Sequence, residues 1–298
     1  MNERKENFSG RVKSRADKVI DWFVVLVTSG VVLLCLLPML NVAAISVSEE
    51  LAIINRQVYF WPVGWNFEAF SMVLNDPPMI TALQLTVTLT VVNTAFSMFM
   101  TTMCAYPLSQ PNFIGRKFFV TVIIITMYFD PGIIPTYLNL RNLNLLNNFW
   151  VLVLPGAISV FNMIILKSFF QSIPDSLRES AEIDGANHWT VLWRIYLPLS
   201  KSALATITLF YAVSRWNGFT DVRFFINNPN LYTMQFRIYQ MINNLLSPEM
   251  AMEGAAIRVA SESLKASAIM FATVPILLIY PWLQKYFVSG VTLGATKE

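Results

Sequence analysis

The chain has 298 residues, of which 55% are hydrophobic and 13% charged, with a formal net charge of +3. Water-soluble domains carry about 25% charged residues, so this composition excludes a purely soluble chain and reads directly as membrane spans. The small charge, with no basic block interleaved with aromatics, excludes nucleic-acid binding, and two cysteines inside apolar runs, Cys35 and Cys104, exclude a disulfide framework or zinc site and read as packing.

A spanning helix takes about 20 mainly apolar residues. Six segments meet or approach that length, predicting an all-α polytopic membrane protein with six transmembrane helices. The first covers 22–47, and its apolar run is far longer than a signal-peptide core of about 7–15 residues. The second runs without a charge from Met79 to Tyr106. The third starts at Phe118 and meets Asp130-Pro131-Gly132, which predicts a broken or kinked outer end. The fourth is 149–166, the fifth 202–219 with Arg215 near its end, and the sixth 266–284.

Lysine and arginine in the short flanks set the orientation. Arg4, Lys5, Arg11, Lys13, Arg15 and Lys18 precede the first span, and Arg116, Lys117, Lys167, Arg178, Arg194, Lys201, Lys285 and Lys297 fall on the same side. The short loops opposite hold only Arg56 and Arg141, so both termini are expected in the cytoplasm of a bacterial cell with the chain multi-pass in its inner membrane. Residues 1–75 would hold the cytoplasmic N-terminal segment, the first transmembrane helix and the first external loop. Residues 76–298 would form the core, with a cytoplasmic loop at 171–200 and a long external loop at 220–265.

The cytoplasmic loop contains one polar, amphipathic stretch, "SIPDSLRESAEIDGANHWTVLWRIYLP". It reads as two short helices: Ser172 or a neighbour caps the first, Pro174 suits its first turn, and Asp175 complements its positive end. Gly185 is placed to end that helix in the left-handed conformation. Glu179 and Glu182 share a face of it. Trp189, Leu192, Trp193 and Tyr196 follow at i, i+3, i+4 and i+7, one apolar face of the second helix. An interfacial hairpin with its tryptophans at the lipid headgroups fits this pattern on its own.

The spacing adds a second reading. Glu179-Ser180-Ala181, three residues, Gly185, nine residues and Ile195-x-Leu197-Pro198 resemble the EAA loop of ABC importer permeases, E-A-A-x3-G-x9-I-x-L-P, with serine for the middle alanine. "IPDSLRESAEIDGA", "RWNGFTDVRFF" and "YFVSGVTLGATKE" are similar to segments of carbohydrate-type permeases, closest to MalG-like subunits of the LplC-like branch. The resemblance implies a type I ABC importer permease fold and a coupling helix that docks on a cytoplasmic ATPase subunit. Its residues here would be Glu179, Ser180, Ala181, Glu182, Asp184, Gly185 and Ala186. It further implies a second homologous permease subunit, two ATPase subunits, an extracytoplasmic solute-binding protein and an oligosaccharide substrate, neutral or acidic. No glycine is followed by lysine, so the chain lacks a Walker A loop. ATP and magnesium would belong to the partner ATPases, and this chain would be no enzyme, with no catalytic, cofactor-binding or metal-ligating residue of its own.

Other residues carry weaker signals. His188, the lone histidine, has no nucleophile constellation and reads as a surface or capping residue. Along the substrate path, Asn162, Tyr211, Arg215, Trp216 and Asn217 offer hydrogen bonds and aromatic faces, although helix–helix contacts and an aromatic belt account for the same residues. Arg215 and Asp130 fall near outer span ends, where they pair, line the path or simply sit at the interface, and Arg215 or Arg223 would be the counter-charge for a uronic acid sugar such as an alginate fragment. In the long loop, Tyr232, Phe236 and Tyr239 recur at helical spacing, as do Met234, Ile238, Met241 and Leu245. By resemblance this loop contacts the binding protein. A self-sufficient secondary transporter is the rival, but it would show inverted repeats and midplane ionisable residues, and neither is visible.

Overall fold

The computed structural model describes residues 15–245, 262–279 and 281, and among these there is no strand, only an isolated antiparallel bridge between Ser48 and Trp65. The chain is all-α. In chain order the helices are α1 (Arg15–Ser46), α2 (Glu50–Ile54), α3 (Glu68–Leu74), α4 (Pro77–Ser109), α5 (Arg116–Tyr128), α6 (Ile133–Asn142) and α7 (Val160–Gln171). They continue with α8 (Asp175–Ile183), α9 (His188–Val191), α10 (Leu197–Leu199), α11 (Lys201–Asn217), α12 (Thr220–Phe225), α13 (Met234–Leu245) and α14 (Glu262–Ile279). The N-terminal cations before Arg15, the side chains of Asn244 and Leu245, and the glycine-containing tail lie outside the described residues.

Two compact units emerge, one from 1–70 and 253–270, the other from 71–252 and 271–298. In the first, α1 is apolar on every side, and residues 18–40 are all exposed. Such a helix is stable only where its surroundings are themselves apolar. Its C-terminal turn anchors a small loop. The Ser48 hydroxyl donates to Ala44 O at 2.6 Å and accepts from Val63 N at 3.2 Å, closing the loop over Ala44, Ala52, Ile53 and Val58. Gly64 sits there at φ +62°, with Glu49 so close that a Cβ would fall 2.6 Å from its carboxylate. Ser267 of α14 donates to Ser46 O at 3.0 Å.

The second unit is organised around α4. Asp76 caps it, accepting from Met79 N at 3.2 Å, and Pro77 and Pro78 occupy first-turn positions where a missing N–H costs nothing. Thr86, Asn93, Thr94, Ser97, Thr101 and Thr102 are all buried, so one face of α4 is small and polar. Small residues let helices approach closely in lipid. α7 and α11 pack there, and both lock onto it through one hydroxyl: Tyr211 Oη lies 2.6 Å from Thr101 Oγ1 and accepts from Ser159 N at 2.9 Å. Further along the same helix, Thr86 Oγ1 accepts from Met234 N at 2.8 Å, tying down the start of α13.

Among the described residues, three helices are long and apolar enough to cross a membrane: 18–46, 77–109 and 262–279. The break expected at Asp130-Pro131-Gly132 is present, and α5 and α6 meet there at 116°. The fourth predicted span departs from expectation. It is a 3-10 turn at Phe149–Leu152, then an irregular stretch through Pro155-Gly156, and only then α7, 12 residues long. Proline and glycine in sequence remove an amide donor and favour non-helical backbone, which interrupts an otherwise apolar run.

Replacing Tyr211 by phenylalanine should destabilise the unit by about 1–3 kcal/mol, because Thr101 and the Ser159 amide lose a buried partner together. Thermal unfolding of the detergent-solubilised variant, compared with the parent, measures this directly.

Candidate functional site

Two sites can be built from the second unit, a hairpin and a cavity. The hairpin begins with α8, which follows Pro174 directly and has no side-chain cap. The expected cap is reassigned: Ser172 donates to Phe169 O at 2.7 Å and closes the end of α7 instead. At the other end, Gly185 takes φ +84°, Gly185 N donates to Glu182 O at 3.0 Å, and Ala186 N donates to Ala181 O at 2.9 Å. That pair of bonds is a Schellman termination, which glycine adopts without steric penalty. Asn187 then caps α9, its Oδ1 accepting from Thr190 N at 2.8 Å.

The second half of the hairpin corrects the single apolar face expected there. Leu192 and Tyr196 are buried, but Trp189 and Trp193 are 59% and 57% exposed. The backbone widens here into a π-turn over Leu192–Tyr196, which has Tyr196 at its end. Tyr196 meets Tyr106 of α4 and Phe170 of α7. Their ring centroids are 5.2, 5.5 and 6.4 Å apart and each pair lies close to perpendicular, at 81° to 82°. Edge-to-face pairs of this kind contribute about 0.5–1.5 kcal/mol each beyond area burial.

Arg178 is the residue that sequence reasoning missed. It is buried, and its Nη1 donates to both oxygens of Glu182 at 2.9 and 3.0 Å, while Glu179 lies 3.6 Å and Asp175 4.0 Å away. The hydrogen bond to Glu182 raises its pKa, outweighing the opposing effect of burial, so the guanidinium stays charged. The signal was available as carboxylates at i−3, i+1 and i+4 around one arginine. Around this clamp the motif residues divide. Ala181 and Ala186 pack half-buried against the core, whereas Glu179, Ser180, Glu182, Asp184 and Gly185 face outward. Ile183, between them, is 86% exposed, and His188 is exposed beside Asn187.

The cavity, about 810 Å³, opens where α4, the irregular stretch before α7, and the C-terminal end of α11 meet. It gathers four of the five nominated path residues, Asn162, Tyr211, Arg215 and Asn217, and adds Asn93, Ser159, Ser214, Thr220 and Asp221. Trp216 is the exception: it is buried, and its indole N–H donates to Ala272 O at 3.3 Å. Arg215 does not pair with Asp130, which instead accepts from Gly132 N at 2.9 Å. Its guanidinium grips Asp221 through both nitrogens and also donates to Leu152 O at 3.0 Å and Gly218 O at 3.3 Å. Arg223 lies over the rings of Phe224 and Tyr239, 5.6 and 5.0 Å from their centroids, and does not line the cavity.

Tyr232, Phe236 and Tyr239 form one aromatic cluster with centroid separations of 4.7 and 6.2 Å. Phe236 is buried in packing with Leu89 and Val222, and the two tyrosines remain half-buried. Asn147, which holds a positive φ of 57°, accepts from Asn227 N at 3.0 Å and Asn228 N at 2.8 Å and fixes the start of this region. The remainder of the long loop, 246–261, lies outside the described residues.

Residues 79–293 match the family described as binding-protein-dependent transport system inner membrane component. The chain is 38% identical over 287 residues to Protein LplC of Bacillus subtilis (strain 168), covering 95% of this chain and 97% of that protein. It is 37% identical over 267 residues to the polygalacturonan/rhamnogalacturonan transport system permease protein YtcP of the same organism, covering 89% and 93%. Among solved structures it is similar to a chain of a bacterial ABC transporter involved in the import of the acidic polysaccharide alginate. That likeness has a TM-score of 0.85 at 33% identity and covers 93% of this chain and 99% of the other.

Removing the buried guanidinium with Arg178→Met should loosen the hairpin without unfolding the bundle, since three carboxylates around it lose their common partner. Hydrogen–deuterium exchange should accelerate about tenfold over 175–186 and stay unchanged along α4.

Proposed function

The chain belongs to the binding-protein-dependent transport system inner membrane component family, and on that premise we propose that it is the permease subunit of an ATP-driven oligosaccharide importer. The observation that carries this reading is the hairpin. It presents Glu179, Ser180, Ile183 and Asp184 outward on a helix ended by a Schellman turn, with Ala181 and Ala186 allowing close approach from the other side. Outward carboxylates and a bare isoleucine suit a groove with basic and apolar walls. That groove belongs to an ATPase subunit, since this chain has no phosphate-binding loop of its own.

In the complete assembly this chain pairs with a second, homologous permease, two ATPase subunits that use ATP and magnesium, and an extracytoplasmic solute-binding protein. It takes the six-span, type I importer arrangement with both termini cytoplasmic. The broken fourth segment and the bent α5–α6 pair count as one span each, consistent with the rule that irregular backbone at membrane depth lines a cavity or is buried in protein. ATP-driven closure of the motor moves the hairpin as a rigid handle. The Tyr106–Phe170–Tyr196 contact then drags α4 and α7 together, and the spans open to the outside to receive sugar from the binding protein. Hydrolysis resets the inward-facing state. The oligosaccharide class rests on relatives whose described substrates are polygalacturonan, rhamnogalacturonan and alginate.

Reversing one exposed charge, Glu179→Lys, should leave membrane insertion intact while cutting binding-protein-stimulated ATP hydrolysis about tenfold or more in the reconstituted complex. A variant with normal stimulation and normal uptake would remove the hairpin from the coupling role. Sugar uptake by the purified single chain in liposomes without ATP would replace the importer with a secondary carrier.

A further inference from the structure

Asn93 stands at the middle of α4, which runs from Pro77 to Ser109 and qualifies as a span. It is 7% exposed, and Asn162, in the first turn of α7, is 5% exposed. Both side chains line the cavity, and among the described residues neither carboxamide has a hydrogen-bond partner. Polar groups at this depth and burial are costly unless something satisfies them. On the same helix Thr101 pairs with Tyr211, while the hydroxyls of Thr90, Thr94 and Ser97 are buried without a partner inside the packing. The two asparagines differ from those hydroxyls in lining the cavity, where their carboxamides face whatever enters it.

Their chemistry narrows what that is. A carboxamide both donates and accepts, as a sugar hydroxyl does, so the two match in pairs without any charge. The cavity's charged lining residues are Arg215 and Asp221, and they neutralise each other. Arg215 also donates to Leu152 O and Gly218 O, and its one unpartnered donor, Nε, is buried, so an incoming carboxylate meets no free cation on this wall. Phe161, 53% exposed at the rim, offers the apolar face against which a pyranose ring stacks.

We propose that Asn93 and Asn162 form a hydroxyl-binding subsite in this cavity, and that this subunit reads the hydroxyl pattern of a sugar chain and not its carboxylates. The proposal rests on the oligosaccharide-importer reading above. It assigns Arg215 a positioning role, holding the end of α11 against the 3-10 turn and α12, in place of a counter-charge.

The test uses the complete transporter in proteoliposomes, with matched neutral and uronate pentasaccharides and monodeoxy analogues of whichever is taken up. Asn93→Leu and Asn162→Leu should each raise KM about tenfold with a smaller effect on kcat, as expected for one or two lost hydroxyl hydrogen bonds, and by the same factor for neutral and uronate chains. On the wild-type protein, at least one deoxy analogue should show a similar loss, and that penalty should vanish in the matching variant. Unchanged KM in both variants overturns the proposal. So does equal uptake of every deoxy analogue, a result that does not depend on any variant folding. Variants that no longer co-purify with the second permease would make these asparagines interface contacts and overturn it too. If the wild-type complex takes up no saccharide at all, the importer reading itself falls and this subsite falls with it.

Discussion

A face of small polar side chains along α4 is the constraint on which the second unit depends. Thr86, Asn93, Ser97 and Thr101 recur at spacings of seven, four and four, so they stack on one side of the helix. In lipid no hydrophobic force draws helices together, and close packing with hydrogen bonds across the seam must do so. The positions divide the work: Thr86 fixes α13, Asn93 faces the cavity, and Thr101 joins α11 and the approach to α7. A stripe of leucines would pack against lipid as readily as against protein and would specify none of these neighbours.

The hairpin depends on the same helix from its other end. Tyr106 lies about one turn beyond Thr101 and Thr102, so the ring that clamps Tyr196 rises from the mast that carries the cavity wall. Arg178 plays the complementary part within α8, bonding Glu182 with Glu179 and Asp175 close by, while Ile183 and Asp184 stay exposed and outside the clamp. Hairpin and cavity are thus joined by one continuous helix and one aromatic cluster. The path between them contains no loop that could absorb a displacement.

Much of this was legible in the residues themselves. Gly185 announced its positive φ because no other residue ends a helix that way as cheaply, and Asp130-Pro131-Gly132 announced a break for similar reasons. Hydropathy located the spans of α1 and α4 to within a few residues. It failed at 149–166, because a sliding average cannot distinguish an apolar helix from an apolar coil wrapped around Pro155-Gly156. The π-turn was equally hidden, since its sequence keeps α-helical spacing. Arg178 was read as one more inner-side cation, its partners overlooked because they also carry the motif. Asn93 was overlooked for the opposite reason: a run defined by lacking charge hides its uncharged polar groups.

The short α7 also bears on how the protein is made. At about 1.5 Å per residue its 12 residues reach about 18 Å, well below the roughly 30 Å of a hydrocarbon core. Preceded by an irregular stretch, this segment is a poor candidate for independent partition from the translocon into lipid. It needs a protein surface to enter against, and α4, emerging earlier from the ribosome, provides one with its polar face already in place.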